Sequence, residues 1–173
     1  MHLARSLFPY LRWPLLLLAA WAVLTAAGER ADAAPLRKND LKSLPTIQLK
    51  VDRQTFKTYV VWQEAAQTLG LSNIEDQEFS RQDALLFAYA QRAPRRFWMK
   101  DTFFNLDIIF FDEQGKIIGT ALNMPANRER DPGLIPTTAT YQAQYVLETK
   151  AGAYPWKIGQ QLSLPQLLAP TKH

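Results

Sequence analysis

Apolar residues along the chain fall into short runs with different spacings. Between Thr46 and Val61, IQLKV and FKTYVV show near-alternating apolar and polar positions. This predicts a strand pair turned at Asp52-Arg53-Gln54, with Ile47, Leu49 and Val51 on one face. Gln63–Leu69 (QEAAQTL) has no β-branched residue except Thr68 and is followed by Gly70, which predicts a short helix stopped at a glycine. Residues 72–79 read as a loop. Residues 80–91 carry two signals. Ser80 followed by Asp83 imitates a capping box and favours a helix through ALLFAYA, whereas LLFAY fits a buried strand as well. Pro94 is expected to end either one.

From Phe97 the pattern predicts a strand, with Phe104, Leu106, Ile108 and Phe110 on one face. Phe103, Asn105, Asp107, Ile109 and Phe111 fall on the other. Asp112-Glu113-Gln114-Gly115 reads as the turn of a β-hairpin that returns along Lys116–Leu122. Residues 123–140 hold Pro125, Pro132 and Pro136 and read as a long irregular loop. Gln144–Thr149 is a further strand, Ala151-Gly152 a turn, and Lys157–Gln160 a tight turn before a last strand, Gln161–Leu164. The fold expected is mainly β (α+β): a small β-barrel-like domain of about six to eight strands with one or two short helices.

The N-terminus has another character. Arg5 and Arg12 precede an apolar run, Trp13–Ala27, and Ala31-Asp32-Ala33 supplies small residues at a cleavage position. This is the pattern of a secretory signal over residues 1–33, removed before Ala34. The rival reading is an uncleaved anchor, but a membrane span needs about 20 apolar residues and this run is shorter. No cysteine lies near the cut, which excludes a lipoprotein anchor, and no twin arginine is present. Residues 34–45 then form a polar, proline-bounded linker, 46–165 a single domain and 166–173 a peripheral tail. The expected location is periplasmic or extracellular.

The chain has 173 residues and a formal charge of +4. Residues 1–33 hold three arginines and two acids, so the rest keeps +3. The only dense basic cluster, Arg92, Arg95 and Arg96 around Pro94, fits a solvated turn better than a nucleic-acid surface. The absence of cysteine removes disulfides, thiolate nucleophiles and cysteine metal sites. His2 and His173 are the only histidines, so the domain offers no Ser–His or Cys–His pair and no histidine for zinc. The glycines are scattered and form no phosphate loop. Asp101, Asp107, Asp112 and Glu113 could suggest a metal, but Asp112 and Glu113 are explained by the hairpin turn. No cofactor or metal is expected, and the domain reads as a monomer.

The candidate ligand-binding residues are Trp98, Lys100, Asp107, Asn123, Glu148 and Trp156. Even-numbered positions on one strand share a side, which joins Trp98 to Lys100 and puts Asp107 opposite. Glu148 follows three apolar residues in YVLE, a costly place for a carboxylate unless it is paired. Trp156 lies in Tyr154-Pro155-Trp156, an aromatic loop suited to contacting a sugar ring, a partner, or the open end of the domain itself. Lys100 would hold an anionic group, with Glu148 orienting it; the plainer reading pairs Lys100 with Glu148 or Asp107 inside the core. Function then divides three ways. The first is a non-enzymatic binding or accessory module of the cell envelope, with a small ligand or envelope protein as partner. The second is a hydrolase using Asp107 and Glu148 on a glycan, which needs the carboxyls about 5–10 Å apart across a cleft. The third is an adaptor using loop 123–140.

FWMKDTFFNLDIIFFDEQGKII and YVLETKAG resemble the family known as domain of unknown function 192, over about Ile47–Leu164. The resemblance implies a compact, mostly β fold with small helices, often behind a signal peptide, and no established activity. It tilts Leu85–Tyr89 toward strand. The chain departs from the family pattern at several positions. Ser72 follows Gly70-Leu71, Ile74 stands where an arginine is usual, and Ala84-Leu85-Leu86-Phe87 replaces G-M-L-F. Asp101 replaces an asparagine and Gln160 an aspartate. If the missing arginine binds a ligand or pairs with an acid, this chain either uses Arg81 instead or has lost that role.

Overall fold

The computed structural model describes residues 37–128 and 131–164. Six strands build one sheet: β1 Thr46–Val51, β2 Gln54–Val61, β3 Asp83–Arg95, β4 Leu106–Phe111, β5 Ile117–Met124 and β6 Tyr141–Lys150. Their order is β1-β2-β3-β6-β4-β5. Only β2 and β3 run parallel. Between them the chain crosses over through helix α1, Glu64–Leu69, and a 3-10 turn at Asp76–Glu78. The sheet is open, with β1 and β5 at its edges, so the mainly β reading holds while the barrel-like description does not.

Strict alternation of side chains gives this sheet two cores. Leu85, Phe87, Ile108, Phe110 and Val146 project to one face, where Leu71, Ile74, Phe79 and Met99 cover them. Ala84, Leu86, Ile109, Phe111 and Leu147 project to the other, under Phe56, Trp156, Leu162 and Leu164. Every residue of β4 is buried. A continuous apolar run such as LLF or IIFF is what a strand covered on both sides requires.

That double burial also decides residues 80–91 in favour of strand. The capping-box signal at Ser80 and Asp83 closes a turn instead. The Ser80 N–H donates to Asp83 Oδ2 at 2.7 Å, and the Asp83 N–H donates to the Ser80 carbonyl at 3.1 Å. Pro94 does not stop β3, which runs on to Arg95. Beyond Phe87 the strand has lost β2 as a neighbour, and its register against β6 shifts between Ala88 and Ala93. A proline fits such an exposed edge because no ladder bond needs its missing N–H.

Residues 97–105 correct a second expectation, for they are not a strand. They meet the rest of the chain at isolated bridges, Trp98 with Thr137 and Thr102 with Asn127. The Thr102 N–H closes a turn on the Met99 carbonyl at 3.2 Å, and Asp101 has φ 52°. Aspartate and asparagine are the non-glycine residues that tolerate that region, so Asp101 keeps the conformation an asparagine would adopt. The predicted last strand is a single bridge between Gln161 and Lys116. Part of the segment read as a linker packs on the domain. Asn39 donates through Nδ2 to the Ala66 and Gly70 carbonyls at 2.9 and 2.8 Å, and Leu41 is buried. The expected signal, residues 1–33, and the tail, 166–173, lie outside the described residues. Among the described residues no helix is long and apolar enough to cross a membrane.

Candidate functional site

The ladder fixes the position of Glu148. Its backbone lies in β6 between Leu85 of β3 and Ile108 of β4. Its side chain therefore leaves the sheet on the face of Phe87 and Phe110, and only 4% of it remains exposed. Among the described residues no hydrogen bond or ion pair satisfies its carboxyl, and Oε2 is buried without a partner. Burial alone pushes its pKa up to about 8, because the apolar surroundings penalise the charged form.

Glu148 lines a cavity of about 30 Å³ together with Gln67, Phe87, Phe97, Trp98 and Thr102. That is room for a few waters or one small chemical group. The end of α1 and the loop 97–102 form its walls. Phe97 meets Phe87 edge-to-face with ring centroids 4.7 Å apart. Trp98 is 52% exposed, so it forms the boundary between cavity and solvent. Outside it, Lys100 Nζ lies 5.6 Å from the Trp98 ring centroid.

Hydrogen bonding around the cavity is one-sided. Gln67 Nε2 donates to the carbonyls of Val61 and Ala88 at 3.2 and 3.1 Å. The hydroxyls of Ser72 and Thr102 both donate to the Lys100 carbonyl, at 2.9 and 3.3 Å. Thr68 donates to Glu64 at 2.9 Å. The side-chain amide and hydroxyl donors of the lining are thus spent on the backbone, while the carboxyl of Glu148 is left over. Tyr89, on the same face of β3, has its hydroxyl pKa raised to about 12, chiefly by burial, against the lowering effect of Arg95 and with a further rise from Glu148. Arg95 stacks on that ring, its guanidinium 3.5 Å from the centroid, and makes no ion pair with Glu148.

The six candidate residues separate into three places. Trp98 and Glu148 share the cavity, with Lys100 on its outer rim. The expected Lys100–Glu148 or Lys100–Asp107 pair is not formed, because the turn at residues 99–102 breaks the strand alternation that was to align them. Asp107 and Asn123 form a structural clasp. Asp107 Oδ1 accepts from the Asn123 N–H and Oδ2 from the Gly152 N–H, each at 2.8 Å. Asn105 continues the clasp, donating to Asn123 Oδ1 at 3.0 Å and accepting from the Ala126 N–H at 2.9 Å. This ties the ends of β4, β5 and β6 together. Trp156 is 5% exposed and belongs to the opposite core, stacked on Phe56 at 5.9 Å. It is not a surface contact.

Asp107 pairs with Thr149 and Glu148 with Ile108, so adjacent rungs direct the two carboxylates to opposite faces of the sheet. Among the described residues no cluster of acidic or histidine side chains is arranged to hold a metal ion. Sequence reasoning missed Gln67, Phe97 and Thr102. Only the glycine-stopped helix signal pointed near Gln67.

The DUF192 family model, described as an uncharacterized ACR, matches residues 47–163. The chain belongs to the DUF192 family. Two solved structures share the fold. One is a protein of unknown function from Novosphingobium aromaticivorans DSM 12444, with 21% identity and a TM-score of 0.58, covering 73% of this chain and 90% of that one. The other is a candidate transcription regulator from Sinorhizobium meliloti 1021, with 21% identity and a TM-score of 0.54, covering 66% and 88%. No curated protein matches the chain. Within this DUF192 member, Ile74 is a core residue at 1% exposure, where an arginine is usual in the family. Arg81 does not reach the cavity. It caps the end of β6, donating to the carbonyls of Ala151 and Gly152 at 3.3 and 2.6 Å.

Proposed function

We propose that this DUF192 protein is an exported, non-enzymatic binding module of the cell envelope, and that its ligand inserts one end into the Glu148 cavity. The observation that carries the reading is the buried Glu148 oxygen with no partner, facing a small cavity with an exposed tryptophan at its mouth. A buried polar atom left unsatisfied costs about 1–3 kcal/mol, which a fold without use for it readily avoids with an apolar residue. The cavity volume admits a terminal group only, so the rest of the ligand lies outside against Trp98. Export rests on the basic and apolar pattern of residues 1–33. The glycan hydrolase alternative loses its support, since Asp107 and Glu148 face opposite ways and both oxygens of Asp107 are engaged by backbone N–H groups.

Thermal denaturation of the full chain against envelope metabolites and glycans tests the binding site. A ligand that raises the Tm of the wild type and of Lys100→Ala, but leaves that of Glu148→Gln unchanged, supports it. A panel that shifts nothing, or shifts Glu148→Gln equally, removes the cavity from consideration.

A further inference from the structure

Resting on that reading, we infer the chemical class of the inserted group: the Glu148 cavity takes a small protonated amine, held by the Glu148 carboxyl between the Phe97 and Trp98 rings. Three observations lead there. Four donors of the lining, Gln67 Nε2, Ser72 Oγ, Thr68 Oγ1 and Thr102 Oγ1, all donate to backbone carbonyls, and none of them turns to Glu148. Among the described residues no side chain donates to the Gln67 side-chain carbonyl or to the Glu148 carboxyl, and Glu148 Oε2 is buried without a partner. An ammonium entering here brings N–H donors and a charge opposite to that of the ionised Glu148 carboxylate, whereas an anion would be repelled by it. Three aromatic residues, Phe87, Phe97 and Trp98, line the cavity, and aromatic rings attract a cation more than an anion. The volume of about 30 Å³ suits an ammonium head and excludes a sugar ring.

The arrangement reverses the role expected of Lys100. Its ammonium already lies 5.6 Å from the Trp98 ring centroid, so it competes with an incoming cation and repels it. Entry of an amine also moves a proton. The buried carboxyl of the empty cavity is largely protonated at neutral pH. An ammonium entering as the ion converts the acid to carboxylate and sends one proton to solvent. Tyr89 and Arg95 of β3 and Lys100 at the rim are the other ionisable groups around it. Tyr89, its hydroxyl pKa raised to about 12, stays neutral through this range, so the pH response is assigned to Glu148. One proton released per ligand makes binding tighten about tenfold per pH unit below pH 8.

The test is titration of the full chain with methylammonium, acetamide and acetate, following the indole resonance of Trp98 by NMR between pH 6 and 8.5. Methylammonium is expected to shift that resonance with an affinity that climbs with pH. Glu148→Gln is expected to lose the response at least tenfold, and Lys100→Ala to strengthen it severalfold. If Glu148→Gln does not fold, the wild-type pH slope carries the test alone. Binding of acetate or acetamide that depends on Glu148 overturns the amine assignment while leaving the cavity as the ligand site. Methylammonium binding with no pH slope, or weakened by Lys100→Ala, overturns it too. Absence of any Glu148-dependent response to all three probes overturns it as well, and the broader ligand panel then judges the cavity.

Discussion

At the scale of single residues, Glu148 is a cost to the fold. Its folded pKa, about 8, lies above the ordinary value near 4.5, the reverse of a salt-bridged carboxylate. The native state therefore binds the proton more tightly than the unfolded chain does. Below about pH 4.5 both states are protonated and no penalty exists. Between there and pH 8 the unfolded chain ionises first, and stability falls as pH rises. Above pH 8 the penalty is complete, on the order of a few kcal/mol, since each pH unit between the two values weighs about 1.4 kcal/mol. Glu148→Gln is thus expected to outlast the wild type in urea at pH 8.5 and to match it at pH 4.5. Equal midpoints at both pH values would show that the carboxyl is solvated. Asp107 instead supports the fold through its hydrogen bonds. Asp107→Ala strips the acceptor from two backbone N–H groups at the ends of β5 and β6, and is expected to lower stability by about 2 kcal/mol or more. A loss under 0.5 kcal/mol by chemical denaturation would refute the clasp. The sequence made Glu148 visible, because an acid after Tyr-Val-Leu is anomalous in a buried strand. It could not make Lys100 legible, since a turn at Asp101 interrupts the alternation from which a neighbour was inferred. Trp156 read as a loop-tip contact, and only tertiary packing against Phe56 reveals it as core.

At the scale of elements, β5 shows how closely the sheet is covered. A Cβ built on Gly119 would lie 2.2 Å from the Tyr141 ring, well inside contact distance. That ring in turn packs on Phe110 with centroids 4.5 Å apart. Gly119 therefore leaves the gap that the Tyr141 ring fills as it reaches across β4 to β5, and Gly119→Ala is expected to cost about 1–3 kcal/mol by displacing that ring. An unchanged Tm would mean that the ring swings aside freely. Local signals read the paired strands β1 and β2, helix α1 with Gly70, and the β4–β5 hairpin, because each is set by neighbours in sequence. They left β3 open between helix and strand and misjudged residues 97–105, and both are decided from far away. β3 is a strand because β2 and β6 flank it. Residues 97–105 leave the sheet because residues 136–138 bond to their backbone, the Met99 N–H to Pro136 at 3.0 Å and the Thr138 N–H to Phe97 at 2.9 Å.

At the scale of the molecule, one six-stranded sheet separates two cores that carry no disulfide. This matters for the proposed location. An exported domain ordinarily meets an oxidising compartment, and many small ones rely on that chemistry for stability. Here apolar packing on both faces takes its place, and the proposed location rests on the N-terminal segment alone. The separation makes export testable without touching the domain. Fractionation of cells producing the full chain is expected to recover the protein in the periplasmic or secreted fraction, beginning at Ala34 by N-terminal sequencing. Replacing Ala31 and Ala33 by bulky residues blocks the small-residue positions that a signal peptidase reads, and is expected to retain the longer form at the membrane. Recovery of wild-type protein in the cytosol with residues 1–33 attached would remove the cell envelope from the proposal. It would leave the Glu148 cavity intact, because none of the residues that form it belongs to that segment.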